Sequence, residues 1–332
     1  MAGPDPAVAA VRYAVRQALR SLSDSSLGSG RTPLVLVACS GGADSLALAA
    51  GLAFEAPRAG LQAGAVVVDH GLQPGSSAVA HQAAEQCRGL GLDPVIVERV
   101  TVSTDGEGPE AAARRSRFAA LDAVAERLGA TAVLLAHTRD DQAEQVLLGL
   151  ARGSGARSLA GMPSARGRYL RPLIGVRRAE TEATCTAYGL APWRDPHNDD
   201  RRFSRVRARA ALRELEADLG PGLPAALARS AELLREDADL LDSLAGQAYS
   251  MLDPTAADVR QLAELPPALR RRVWLRLAAA AGCGALTKAH VEALDALVMG
   301  WRGQGPVDLP GGVAARRDAG RILWEAPRTP HR

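Results

Sequence analysis

Six consecutive residues carry the clearest chemical signal in this chain: Ser40-Gly41-Gly42-Ala43-Asp44-Ser45. They follow an apolar run at 34–39 that reads as a strand, and they open a helical stretch at 44–50. Two glycines let the backbone approach a ligand closely, and a helix N-terminus points N–H groups and a partial positive charge outward. The pattern reads as an anion site. It is not the phosphate loop GxxxxGK[ST], because no lysine is present to reach an outer phosphate. The simpler alternative is a glycine-rich turn capped by a serine.

Three other groups could do chemistry. Asp69, in Val68-Asp69-His70-Gly71-Leu72, ends a second apolar run. It could accept from an adenine amino group or a ribose hydroxyl, or it could only close an Asx turn. His137 ends another run, with Asp140 and Asp141 at the mouth of the next helix. His137 could bind phosphate or move a proton. Either aspartate could hold Mg²⁺ beside phosphates or orient an amine, while one of the two is expected to cap the helix. Trp193-Arg194-Asp195-Pro196-His197-Asn198 forms a polar turn, since a residue before proline leaves the helical region. Trp193 could stack on a base or simply fill a core. Gly153-Ser154-Gly155 could be an anion nest or a linker.

The chain must be able to position these groups. At 332 residues with 47% hydrophobic content it can build two cored domains. No apolar stretch reaches the roughly 18–20 residues of a membrane helix. The N-terminus has no signal-peptide h-region, and Arg12, Arg16 and Arg20 mark one face of an amphipathic helix. Cys39, Cys87, Cys185 and Cys283 form no CxxC, so neither disulfides nor a cysteine-bound metal is expected and a cytoplasmic location fits. The net charge of +3 says little about partners. Its carriers say more. Lys288 is the only lysine, and arginines cluster at 166–178 and 201–213. Arginine clusters suit phosphate, although a solvated helix face would look the same.

Strand signals at 34–39, 65–68, 94–97 and 132–136 alternate with helix signals at 77–90, at 109–128 and from Asp140 onward. This alternation predicts an α/β fold, a parallel sheet with helices on both faces, with ligands bound beyond the carboxyl ends of the strands. Ser40, Asp69, His70 and His137 all fall there. From about residue 220 the pattern turns helical, at 225–245, 267–281 and 287–299, and a small hairpin is expected to end the chain. The expected division is an α/β domain at 1–218 and a smaller, mainly helical C-terminal domain at 219–332.

The spacing SGGxDS resembles the pyrophosphate loop of ATP-cleaving adenylating enzymes. Taken in order, SGGADS, VDHGL, PEAAARRSRF, AHTRDDQAEQVLLGLARGSG, RPL and WRDPHND resemble the tRNA(Ile)-lysidine synthases over about residues 33–215. The resemblance implies a PP-loop, adenine nucleotide alpha hydrolase-like fold, with ATP and Mg²⁺ as cofactors. It implies tRNA(Ile) with a CAU anticodon and free L-lysine as substrates, no membrane, and a homodimer. In the implied reaction C2 of cytidine 34 is activated by adenylation, lysine displaces AMP, and the anticodon then reads AUA. By position, Ala38, Ser40, Gly41, Gly42, Ala43, Asp44, Ser45 and Asp69 would hold ATP, with Asp44 on Mg²⁺. Asp44, Arg117, His137 and Asp141 would be catalytic. Arg114, Asp195, Arg205 and Arg209 would meet the tRNA or the intermediate, and the C-terminal domain would bind tRNA. The chain departs from the family pattern at Phe118, His197, Phe203 and Val206. Thiolating enzymes share the loop but need catalytic cysteines or a CxxC. A nucleotide sensor without catalysis would lack the arginine clusters and the second domain.

Overall fold

The computed structural model describes residues 3–23, 32–71, 75–101, 109–153, 155–196 and 200–325. The chain folds into two compact units, Met1–Leu234 and Arg235–Arg332.

The first unit is built on β1 (Leu34–Ala38), β2 (Gln62–Asp69), β3 (Val95–Arg99), β4 (Ala132–Leu134), β5 (Ala165–Arg166) and β6 (Tyr169–Leu170). They form one sheet in the order β3-β2-β1-β4-β6-β5, parallel throughout except for β5, which runs antiparallel to β6. The reason lies in β1. Alternate residues point to opposite faces, and here both sets are apolar. Val35 and Val37 enter one core; Leu34 and Leu36 enter another. A strand of this kind is stable only with helices on both sides. The first face is covered by α1 (Pro6–Ser23), α2 (Ala43–Glu55), α3 (Ser76–Gly89) and α7 (Arg178–Ala187), which contribute Val11, Leu46, Ala84 and Cys185. The second face is covered by α4 (Pro109–Leu128), through Leu121, Val124 and Ala125. Helices α5 (Arg139–Ala151), α6 (Ala156–Leu159) and α8 (Ser204–Leu219) complete the unit.

The arginines of α1 are not merely solvated. Arg12 stacks on Phe54 at 3.4 Å and donates to the Tyr188 hydroxyl, and Arg16 pairs with the buried Glu55 at 2.8 Å. They tie α1 to α2 and α7.

Helix α9 (Leu223–Ser250) runs across the division between the units. The second unit adds α10 (Val259–Glu264), α11 (Pro267–Ala280) and α12 (Lys288–Met299). The expected hairpin is β9 (Ala314–Asp318) with β10 (Arg321–Glu325). It is widened by β7 (Ala256–Asp258) and β8 (Val307–Asp308) into a four-stranded antiparallel sheet; strands this short leave no periodicity in the sequence, so only the hairpin was expected. Trp274 is fully buried in this core, and its indole N–H donates to Asp295, which also pairs with the buried Arg270. No helix among the described residues is long and apolar enough to cross a membrane.

Candidate active site

The turns after β1 and β4 carry Ser40–Ser45 and His137, and Asp69 ends β2 with His70 next to it, so the sheet brings the predicted residues to one edge. After β1, the Ser45 hydroxyl donates to the Gly42 carbonyl and accepts the Ser40 N–H at 3.1 Å. Ser45 is buried and shapes the loop; Ser40 is exposed. Gly41 has φ of 83°, a left-handed value that glycine adopts without strain, and an added Cβ would lie 3.2 Å from Ala83 Cβ. Its carbonyl accepts the N–H of the half-buried Trp193. Gly42 is the N-cap of α2, and among the described residues no side chain caps this helix. An uncapped N-terminus with a partial positive charge is an open anion site. The fold also brings Cys39 and Cys87 within hydrogen-bonding reach behind the loop, both as free thiols.

Asp44 stands in the first turn of α2, 24% exposed. Both of its oxygens are held from α7. The Thr181 hydroxyl donates to Oδ1, and Arg178 Nε reaches Oδ2 at 3.4 Å. Burial raises the Asp44 carboxyl above its ordinary value, and Thr181 and Arg178 pull it back. Arg178 also donates to Asp141 Oδ1 at 2.8 Å and lies 3.6 Å from Glu144 Oε1, while its backbone N–H donates to Asp140 at 2.9 Å. Burial opposes the charge on Arg178, but Asp141, Asp44, Glu144 and Asp140 together hold it above the ordinary arginine value.

Neither aspartate is the cap of α5. Thr138 is, through a capping box in which its hydroxyl accepts the Asp141 N–H at 3.4 Å and its own N–H donates to Asp141 Oδ2 at 2.8 Å; the hydroxyl also donates to that oxygen at 2.9 Å. Asp141 therefore offers only Oδ1 toward the cleft, already shared with Arg178. Glu144 is 2% exposed; its Oε1 accepts from Arg209 Nε at 2.8 Å, and its buried Oε2 has no hydrogen-bond partner among the described residues. Asp140, Glu144, Arg178, Glu182, Arg209, Arg213 and Glu216 line a cleft of about 220 Å³ between α5, α7 and α8. The buried Gln142 is structural: its amide pairs with both backbone groups of Met162.

A second group is basic. Arg117 Nε and the Nδ1 atoms of His70 and His137 are buried without hydrogen-bond partners among the described residues. Burial, with Arg114 and Arg205, pushes Arg117 down to about 10. Burial pushes the His137 imidazole down to about 4; Asp141 opposes this, and Arg171, Arg117 and Arg205 add to it. Like charges crowded out of water are stabilised by an incoming anion. Arg114 and Arg117 lie over the Phe118 ring at 5.0 and 5.6 Å, and that ring meets Tyr169 edge to face at 5.0 Å. This stacking needs no hydroxyl at residue 118.

The shift on His137 makes a pH prediction. The unfolded chain takes up this proton near the ordinary value of 6.5, and the folded chain only near 4. Stability is therefore present above 6.5 and is lost as pH falls toward 4. His137→Gln should flatten urea-unfolding midpoints followed from about pH 7 down to about pH 4. An unchanged slope would assign the effect to other groups.

Residues 13–216 match the PP-loop domain model and residues 258–323 match the TilS substrate binding domain model. The tRNA(Ile)-lysidine synthase of Thermobifida fusca is 56% identical over 98% of this chain and 100% of its own length. That of Streptomyces coelicolor is 52% identical over 97% and 99%. The chain belongs to the tRNA(Ile)-lysidine synthase family. The U34-tRNA thiolase NcsA of Methanococcus maripaludis, solved with its [4Fe-4S] cluster, superposes with a TM-score of 0.56 over 69% of this chain and 80% of that one. At 19% identity this likeness establishes the fold alone.

Set beside the lysidine synthase motifs, the structure gathers Ser40, Gly41, Gly42, Ala43, Asp44 and Ser45 with Asp141, and gathers Arg114, Arg117, His137 and Arg205, with Asp141 close enough to act on His137. Ala38 pairs with Val66 in the sheet beneath the loop. Asp69 is buried and accepts the Gly71 N–H, so the Asx turn is formed. Burial opposes its charge, but Ser76, Gly71, Arg99 and His70 hold its carboxyl low. Arg209 is committed to Glu144. Asp195 is half-buried, and His197, Asn198 and Ser154 lie outside the described residues. Sequence reasoning missed Thr138, Glu144, Arg178 and Thr181. Thr138 and Glu144 did leave a signal: Thr-x-x-Asp is a capping-box spacing, and Glu144 is one turn beyond Asp141. Arg178 stood at the end of the 166–178 arginine cluster but was not tied to the loop, and Thr181 left no signal.

Asp44 and Asp141 also suit a hard divalent cation. Among the described residues no three His, Cys, Asp or Glu side chains converge as a protein-only metal cage. Mg²⁺ is characteristically held by one or two carboxylates and substrate phosphates, and these acids beside an uncapped helix provide that donor set.

Proposed function

We propose that this protein ligates free lysine to C2 of cytidine 34 in the CAU anticodon of tRNA(Ile), consuming ATP. The observation that carries this reading is the match of both domains to one family, at 56% identity over nearly the whole chain. The site geometry agrees with it. The open N-terminus of α2 would take the pyrophosphate side of ATP, and Asp44 would take Mg²⁺, which when bound offsets phosphate charge. Cytidine O2 attacks the α-phosphorus and pyrophosphate leaves. The lysine ε-amine then attacks C2, AMP leaves, and the amine gives up a proton.

We assign His137 to the proton-transfer steps: its imidazole is neutral in this pocket, and a bound phosphate beside the arginines would raise its basicity from about 4. Arg114, Arg117 and Arg205 would balance phosphate charge on the adenylated base or the tRNA backbone. We assign the acidic cleft to lysine. Asp140, Glu144, Glu182 and Glu216 can meet its two ammonium groups, and Arg213 its carboxylate. Asp195 and the second unit, which contains the matched substrate-binding domain, would approach the tRNA. The four free thiols fit a reducing cytoplasm.

The test is transfer of labelled lysine, with ATP, onto two transcripts, tRNA(Ile) with anticodon CAU and an elongator methionine tRNA with the same anticodon. Incorporation into the first alone supports the reading. Conversion of ATP to AMP on some other RNA, with no lysine joined, would keep adenylation and reject lysine as the nucleophile.

A further inference from the structure

We propose that Arg178 is an exchangeable counter-ion of the nucleotide loop, a positioning residue that holds the cation's place on Asp44 until metal and nucleotide arrive. This rests on the reading of Asp44 as the metal-binding carboxylate given above.

Three observations carry the inference. Both oxygens of Asp44 are engaged by one turn of α7, through Thr181 and Arg178. A divalent cation and a guanidinium both seek the negative charge on this carboxylate, and side by side on one oxygen they repel each other. The two cations therefore compete for Oδ2. The contacts of Arg178 are also graded. It lies 2.8 Å from Asp141 but 3.4 Å from Asp44, so the Asp44 contact is the weaker of its two hydrogen bonds. After release, Arg178 stays anchored by Asp141 and by its backbone N–H on Asp140 at 2.9 Å. Finally, among the described residues the carboxylates of Asp44, Asp141 and Glu144 pair with two guanidinium groups, those of Arg178 and Arg209. The cluster keeps one negative charge and can take a further cation. Arg178 thus shields Asp44 from Asp141 in the empty site and moves aside without leaving the cluster.

The experiment is equilibrium binding of ATP to the whole chain across a magnesium series, without tRNA or lysine. Arg178→Gln removes the competing charge, and the magnesium needed for half-maximal binding should fall about tenfold. Arg178→Lys keeps the charge and should stay within about twofold of wild type. A requirement in Arg178→Gln that is unchanged or higher overturns the proposal, as does an equal fall in Arg178→Lys. Should Arg178→Gln not fold, the wild-type chain gives the answer. The Arg178 Nε–H resonance should move with magnesium and ATP together but not with ATP alone, and a resonance unmoved by metal overturns the proposal. ATP binding that is independent of metal in the wild type would overturn the Asp44 reading itself, and is distinguishable because it needs no variant.

Discussion

Asp44→Asn should lose product formation by at least about 100-fold, the scale on which deletion of one preorganised electrostatic contact slows an enzyme, and should lose no stability at neutral pH. The second half of this expectation comes from the environment. Burial raises the Asp44 carboxyl above its ordinary value, and Asp141 adds to that. A carboxyl raised in the folded state contributes stability below its unfolded value, which is lost as pH rises through the folded value. At neutral pH the ionised carboxylate is thus a burden on the fold, tolerated with the help of Thr181 and Arg178. An amide of the same shape removes that burden. A group that costs stability in a cleft beside an uncapped helix is better explained by chemistry than by structure. The checks are thermal unfolding and lysine transfer on the same preparation. Stability lost together with activity would make Asp44 a structural residue.

The sheet was legible because its central strand is apolar on both faces and each turn that follows carries an unusual residue. The limits of α4 at 109–128 coincide with the proline, glutamate and glycine signals that bound it. The loop 40–45 was legible because two glycines at a strand end have few other uses. Local patterns show what a residue's neighbours in sequence require, and the missed features are those fixed by distant ones. Arg178 meets Asp44 across 134 positions, and nothing near either residue records the meeting. Arg209 stood in an arginine cluster and read as a phosphate contact. In the fold its charge is used by Glu144, a residue on another helix. Strands β5 to β8 hold two or three residues each, too few to show alternation. The two-fold choice between caps at Asp140 and Asp141 failed for a different reason. The capping residue, Thr138, lay two positions before the expected helix start at Asp140, and boundaries of this kind shift by a residue or two.

Breaking the pair formed by Glu144 and Arg209 should strongly destabilise the first unit. Glu144 is 2% exposed and Arg209 25%, so neither charge is well solvated, and Oε1 of Glu144 is within 3.6 Å of Arg178 as well. Glu144→Ala removes a carboxylate that pairs with Arg209 and supports Arg178, and opens the packing between α5 and α8. Breaking one side of a buried pair costs about 3 kcal/mol or more, since the remaining charge stays out of water. For a unit of this size that corresponds to a fall of roughly 6–12 °C in its unfolding temperature. Arg209→Met should cost less, because Glu144 then keeps Arg178. The double variant should be more stable than the sum of the two single effects, which is the mark of a direct pair. Additive effects would show that the two residues act apart. If the cleft takes lysine as proposed, the ligand should also recover part of the loss in Arg209→Met and none in Glu144→Ala. An ammonium can replace the missing positive charge beside Glu144 but cannot replace the carboxylate.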